Sequence, residues 1–180
     1  MSSNISEPIL EAIANVCNTI SGICDVNFII APHIHSDFGV TKDFFAATRK
    51  ISDPRYLAGS RLEVAGVLRG TKSASGYFDL YRQADYVIGM RGHSMIVSVG
   101  VGTPCVGIVS HPKVEGFLKD CCLEKWSTNI SNVDLEGSLL EKIHCLMDDS
   151  SEWKELRAVA FERMVERRKI FHCEVKRLLQ

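Results

Sequence analysis

An arginine at position 91 and a histidine at position 93 stand two residues apart, directly after an apolar run, Tyr86 to Ile88, that closes on Gly89. A guanidinium presents a planar fork that matches carboxylate and phosphate groups bidentately. An unperturbed imidazole, with a pKa of about 6.5, gives and takes protons near neutral pH. Together Arg91 and His93 predict anion binding coupled to proton transfer. Ser94 falls at the expected start of the next helix, where a hydroxyl and backbone amides hold anions beside the positive helix end. Lys113, in the turn after the following expected strand, adds another positive charge. Each type also has a structural use. Arg91 can pair with Asp85 or a carbonyl, His93 can be a hydrogen-bonded residue at a strand end, Ser94 an ordinary N-cap, and Lys113 a solvated charge. The weight lies on Arg91 and His93, because two chemistries converge at one sheet edge.

The flanking pattern supplies the scaffold that positions them. Tyr86 to Gly89 reads as a strand, Ser94 to Val101 as a helix of small residues, and Cys105 to Val109 as a second buried strand. Open α/β sheets bind ligands outside the carboxyl ends of their strands, which is where Arg91 and His93 fall. Val26 to Ala31, closed by Pro32, predicts a strand covered on both faces. His33 and His35 follow it, at the same expected edge, as ligand-facing loop residues. An H-x-H pair suits a metal, but no third ligand stands at a zinc spacing, so no metal site is expected.

Elsewhere, Ser6 and Pro8 open a helix whose stripe, Ile9, Leu10, Ile13, Val16, Cys17 and Ile20, ends at Gly22. Thr41 to Arg49 and Tyr77 to Gln83 read as helices and Leu62 to Val67 as a strand. Val114 to Cys121 reads as a short helix and Lys125 to Thr128 as a last strand. Leu135, Leu139, Ile143 and Leu146 form one helical stripe. Trp153, Leu156, Ala160, Met164, Phe171, Val175 and Leu178 form another, expected to bury against the sheet or its covering helices. Strands alternating with helices predict an α/β, Rossmann-like, doubly wound parallel sheet with right-handed crossovers, as one domain over residues 1–180.

The chain has 180 residues and a formal net charge of -1, so no basic field draws it onto nucleic acid. Its seven cysteines form no C-x-x-C pair and suit a reducing cytoplasm. The adjacent Cys121 and Cys122 read as small buried hydrophobes. The N-terminus lacks the basic and apolar regions of a secretory signal. Met95 to Ser110 is apolar but cut by Gly100, Gly102 and Pro104, so no membrane span is expected.

The stretch from Ala84 onward resembles the polysaccharide pyruvyl transferase family. The pattern is carried by Ala84-Asp85, Val87-Ile88-Gly89, Arg91, His93-Ser94, Gly102-Thr103-Pro104, and Lys113 with Gly116. Gly92 departs from it, since the family more often carries leucine there; the glycine either loosens the turn or lets a ligand approach the backbone. The resemblance implies the C-terminal half of a glycosyltransferase-B-like enzyme whose site lies between two Rossmann-like halves. The N-terminal half is absent from the match, and a partner chain or further segment would complete the cleft. It also implies phosphoenolpyruvate as donor, no cofactor, and a glycan or sugar-lipid acceptor, as in exopolysaccharide biosynthesis. Arg91 and His93 are then the catalytic pair, with Ser94, Gly92, Thr103 and Lys113 binding substrate, and His33 and His35 join them as substrate-binding candidates by their place after the first expected strand. Two other readings stay open: a sugar-nucleotide-dependent glycosyltransferase of the same fold, and a non-catalytic truncated binding module.

Overall fold

The computed structural model describes residues 7–26, 28–31, 44 and 74–178. The described elements run in chain order as α1 (Glu7–Ile23), α2 (Ala74–Gln83), β1 (Val87–Gly89), α3 (Gly92–Val101), β2 (Cys105–Val109) and α4 (Pro112–Asp120). A 3-10 turn (Glu124–Trp126), β3 (Ser127–Asn129), α5 (Leu135–Asp148) and α6 (Ser151–Leu178) complete them. The chain divides into two compact units, residues 1–80 with 130–140, and residues 81–129 with 141–180. The whole described sheet lies in the second.

That sheet is α/β and parallel, with three strands in the order β1-β2-β3. Ile88 pairs with Val106 and Val109 with Asn129. Cys105, Val106, Gly107 and Ile108 are all buried, as a middle strand covered on both faces must be. Gly89 and Gly107 are register partners, and Met95 of α3 lies against both. A Cβ on Gly107 would stand 3.2 Å from Met95 Cε and 3.1 Å from Leu118 Cδ1 of α4. Helices α3 and α4 therefore cover the same face, brought close by strands that lack side chains there.

Helix α3 ends on Gly102, whose φ of 90° is the left-handed conformation that glycine adopts without a Cβ penalty. Both Gly102 N and Thr103 N donate to Ser98 O. From α6, Arg157 Nε donates to Val99 O (3.0 Å), placing a cation at the negative end of α3. Further along α6, Arg167 Nη2 donates to Asp120 Oδ1 (2.9 Å), and this pairing holds the Asp120 carboxyl below its ordinary range. Leu135, Leu139, Ile143 and Leu146 are buried along α5, as their spacing predicts.

Three expectations are corrected. Val26 and residues 28–31 form no strand, and Ile29 is 46% exposed. None of the described residues of this run is buried, and one-dimensional pattern supplies neither the layer that would cover it nor the neighbouring backbone that a strand pairs with. The apolar stripe of α6 is buried only at its start, at Trp153 and Ala160, while Phe171 (67%) and Leu178 (84%) are exposed. A 28-residue helix, about 42 Å long at 1.5 Å per residue, outruns the short sheet that it packs beside. Cys121 is buried, and desolvation pushes its thiol up to about 11, but Cys122 is not a plain buried hydrophobe. It has a φ of 55°, and its Sγ accepts from Arg163 Nη1 at 2.6 Å. Expected elements at Thr41–Arg49, Phe44 apart, and at Leu62–Val67 lie outside the described residues, as does Ser6.

Candidate functional site at the carboxyl edge of the sheet

The turn after β1 is built around one carbonyl. Arg91 is the N-cap of α3, in extended conformation (φ -107°, ψ 144°), and its side chain makes no capping hydrogen bond. Its carbonyl oxygen instead accepts from Ser94 N (3.0 Å), Met95 N (3.3 Å) and Ser94 Oγ (2.6 Å). The backbone of Arg91 thus starts the helix, and the residue is half-buried at the strand end. Gly92 and His93 occupy the first two helical positions, and His93 is exposed. Neither the cation nor the imidazole is sealed in the core.

Ser94 does not play the part expected of it. It is the third residue of the helix, not its cap, and only 5% exposed. Its hydroxyl proton is committed to the Arg91 carbonyl, so Ser94 shapes the turn from beneath and Arg91 is the group it positions. Gly92 has an ordinary negative-φ backbone, and nothing lies within 4 Å of where its Cβ would be. The glycine therefore leaves open space at the mouth of the turn and is not needed for conformation. Gly92→Ala is expected to raise stability by about 0.4–1 kcal/mol through the unfolded chain's lost freedom; urea unfolding measures it, and a destabilised variant would contradict the open-space reading.

Thr103 is not brought to this corner. It follows the far end of α3, about 15 Å from Arg91 for ten residues of helix. It is 4% exposed, and its Oγ1 donates to Tyr81 O at 2.7 Å. The G-x-P element returns the chain to the amino edge of the sheet, where Val87 N bonds Pro104 O (2.9 Å) to start the ladder. Thr103→Val should cost about 0.5–1.5 kcal/mol, because the Tyr81 carbonyl loses one of two donors and keeps Ala84 N (3.3 Å), and should leave ligand affinity unchanged. Paired melting and calorimetric titration check this; a loss of affinity without a loss of stability would return Thr103 to the site. Asp85 stands before β1, at the opposite end of the strand from Arg91.

The next strand contributes the other wall. Ser110 Oγ donates to Met90 O at 2.9 Å, which ties the turn after β2 to the turn after β1. His111 is the N-cap of α4, with Pro112 in the first helical position and Lys113 exposed in the second. Lys113 N donates to His111 Nδ1 at 3.1 Å. Lys113 thus begins α4 and does not sit in a free loop, but it stays at the expected edge. His111 is not among the residues expected at the site; the signal for it is its place, two residues past a buried strand and directly before a proline that starts a helix. His33 and His35 lie outside the described residues. Among the described residues no three His, Cys, Asp or Glu side chains cluster as metal ligands, and no helix is long and apolar enough to cross a membrane.

A parallel α/β unit thus carries a guanidinium, two imidazoles and an ammonium at the carboxyl ends of adjacent strands, groups whose chemistry suits an anion and the transfer of a proton. Residues 3–112 match the polysaccharide pyruvyl transferase family, and the chain belongs to it. Over 80 residues it is 32% identical to the amylovoran biosynthesis protein AmsJ of Erwinia amylovora, a stretch covering 43% of this chain and 19% of that protein. The matched stretch is thus under a fifth of that relative's length. No solved structure matches the chain.

Proposed function

We propose that this chain is the donor-binding part of a polysaccharide pyruvyl transferase-like enzyme acting in exopolysaccharide biosynthesis. The observation that carries the reading is the Arg91-Gly92-His93 segment, placed at the sheet's carboxyl edge and tied to the next strand's turn by Ser110. Phosphoenolpyruvate carries a carboxylate and a phosphate, both suited to the Arg91 fork, with Lys113 adding positive charge. His93 gives a proton to the methylene carbon of the donor, which becomes the methyl group as positive charge develops at the adjacent carbon. One sugar hydroxyl adds to that carbon, and a second displaces the phosphate and closes the ketal. Of the two hydroxyl protons released, one restores His93 and the other leaves with phosphate. The acceptor is a glycan or sugar-lipid, and a second Rossmann-like half, as in a glycosyltransferase-B-like enzyme, supplies the facing wall.

Phosphate release from phosphoenolpyruvate in the presence of galactoside or mannoside acceptors tests the reading. His93→Ala should lower the rate by about 10²–10⁴-fold, the usual contribution of a general acid, with donor affinity largely kept. Thermal shift with sugar nucleotides run beside phosphoenolpyruvate supplies the opposing result: stronger stabilisation by a nucleotide would overturn the donor assignment.

A further inference from the structure

His111 combines three features that a helix cap alone does not require. First, it stands at the carboxyl end of β2, the strand paired with β1, whose own carboxyl end carries Arg91 and His93. Second, the two turns are stitched together next to it, since the residue before His111 donates its hydroxyl to the carbonyl of the residue before Arg91, at 2.9 Å. Third, its ring is oriented. Extended backbone (φ -154°, ψ 144°) and the 3.1 Å bond from Lys113 N hold Nδ1 against the helix start. An accepting Nδ1 leaves Nε2 as the nitrogen that carries the proton, on the side of the ring away from the cap. Serine, aspartate or asparagine would cap α4 at least as well. What histidine adds is an N–H donor on a fixed ring, exposed at the edge where the anion is expected.

We propose that His111 is a further donor-binding residue of this site, its Nε2–H hydrogen-bonded to the phosphate of the phosphoenolpyruvate held by Arg91. The proposal rests on the pyruvyl-transfer reading, and extends it by assigning the second strand's turn to phosphate recognition.

Two substitutions separate the cap from the donor. In His111→Asn the side-chain oxygen keeps the bond from Lys113 N, but nothing replaces Nε2. In His111→Gln the longer amide places an N–H near the Nε2 position and gives up the cap. Phosphoenolpyruvate and, separately, inorganic phosphate are titrated calorimetrically into wild type and both variants, with melting curves for each. The expected result is a His111→Asn chain with wild-type stability and about tenfold or more weaker binding of both anions. His111→Gln should melt earlier yet bind more tightly than His111→Asn. Equal affinity of wild type and His111→Asn overturns the proposal while leaving the pyruvyl reading intact. A loss of affinity that tracks the loss of melting temperature across both variants also overturns it, by reducing His111 to a cap. If folded wild type binds phosphate but not phosphoenolpyruvate, the donor reading fails and this assignment of its phosphate contact fails with it.

Discussion

Alanine at position 91 should weaken phosphoenolpyruvate binding by about 10- to 100-fold, the worth of a charge-assisted hydrogen-bond pair at ~1.5–3 kcal/mol. The start of α3 should survive, because Arg91 caps that helix through its backbone. Its carbonyl accepts the bonds from Ser94 and Met95, and its side chain makes no capping bond. Lysine at the same position should recover only part of the affinity, since a point charge cannot make the two parallel bonds of a guanidinium. The affinity of wild type should also fall with added salt, as expected for an anion held at a partly open edge. Calorimetric titration beside circular dichroism gives both quantities. A folded Arg91→Ala chain with unchanged affinity would remove the guanidinium from the site, and the proposed function with it.

The second large effect concerns a residue with no side chain. Gly89→Ala should cost about 1–3 kcal/mol, the range for overpacking a well-filled interior. A Cβ there would stand 2.6 Å from Ser94 Oγ and 2.7 Å from Met95 Sδ. Neither neighbour gives way easily. Met95 is wholly buried, and Ser94 Oγ is anchored on the Arg91 carbonyl. Relief requires moving Ser94, which breaks the bond that shapes the Arg91 turn, so donor affinity should fall together with stability. Gly116, where nothing lies within 4 Å of a Cβ, provides the control: alanine there should be neutral or stabilising. Urea unfolding of the two variants reads the difference, and a Gly89→Ala chain as stable as wild type would show that α3 does not rest on this strand as closely as described.

The contrast between these glycines shows how far sequence could be read. Motif spacing singled out Gly89, Gly102 and Gly116 equally. The structure gives each a different reason: contact with a helix at Gly89, a left-handed helix end at Gly102, and no steric demand at Gly116. Local elements near the candidate site were legible because their signals are local. The apolar run Cys105 to Val109 marks β2, a glycine followed two residues on by a proline ends α3 and starts β2, and steps of four, four and three residues mark the buried face of α5. Val26 to Ala31 departs from its expectation because apolar composition fixes neither the layer that would cover a run nor the backbone that would pair with it.

The order of residues was enough to determine that β1, α3 and β2 form, that Arg91 and His93 fall where the first hands over to the second, and that the chain belongs to its family. These follow from short-range periodicity, helix signals and motif spacing, all of which are written along one dimension. Only the tertiary structure decided which motif residues share an edge. It sent Thr103 to the opposite end of α3, turned the Ser94 hydroxyl inward onto Arg91, and brought Ser110 and His111 beside them. The physical reason is that a parallel β-α-β unit places residues a whole helix apart in sequence at neighbouring strand ends, and separates those at the two ends of one helix by its length.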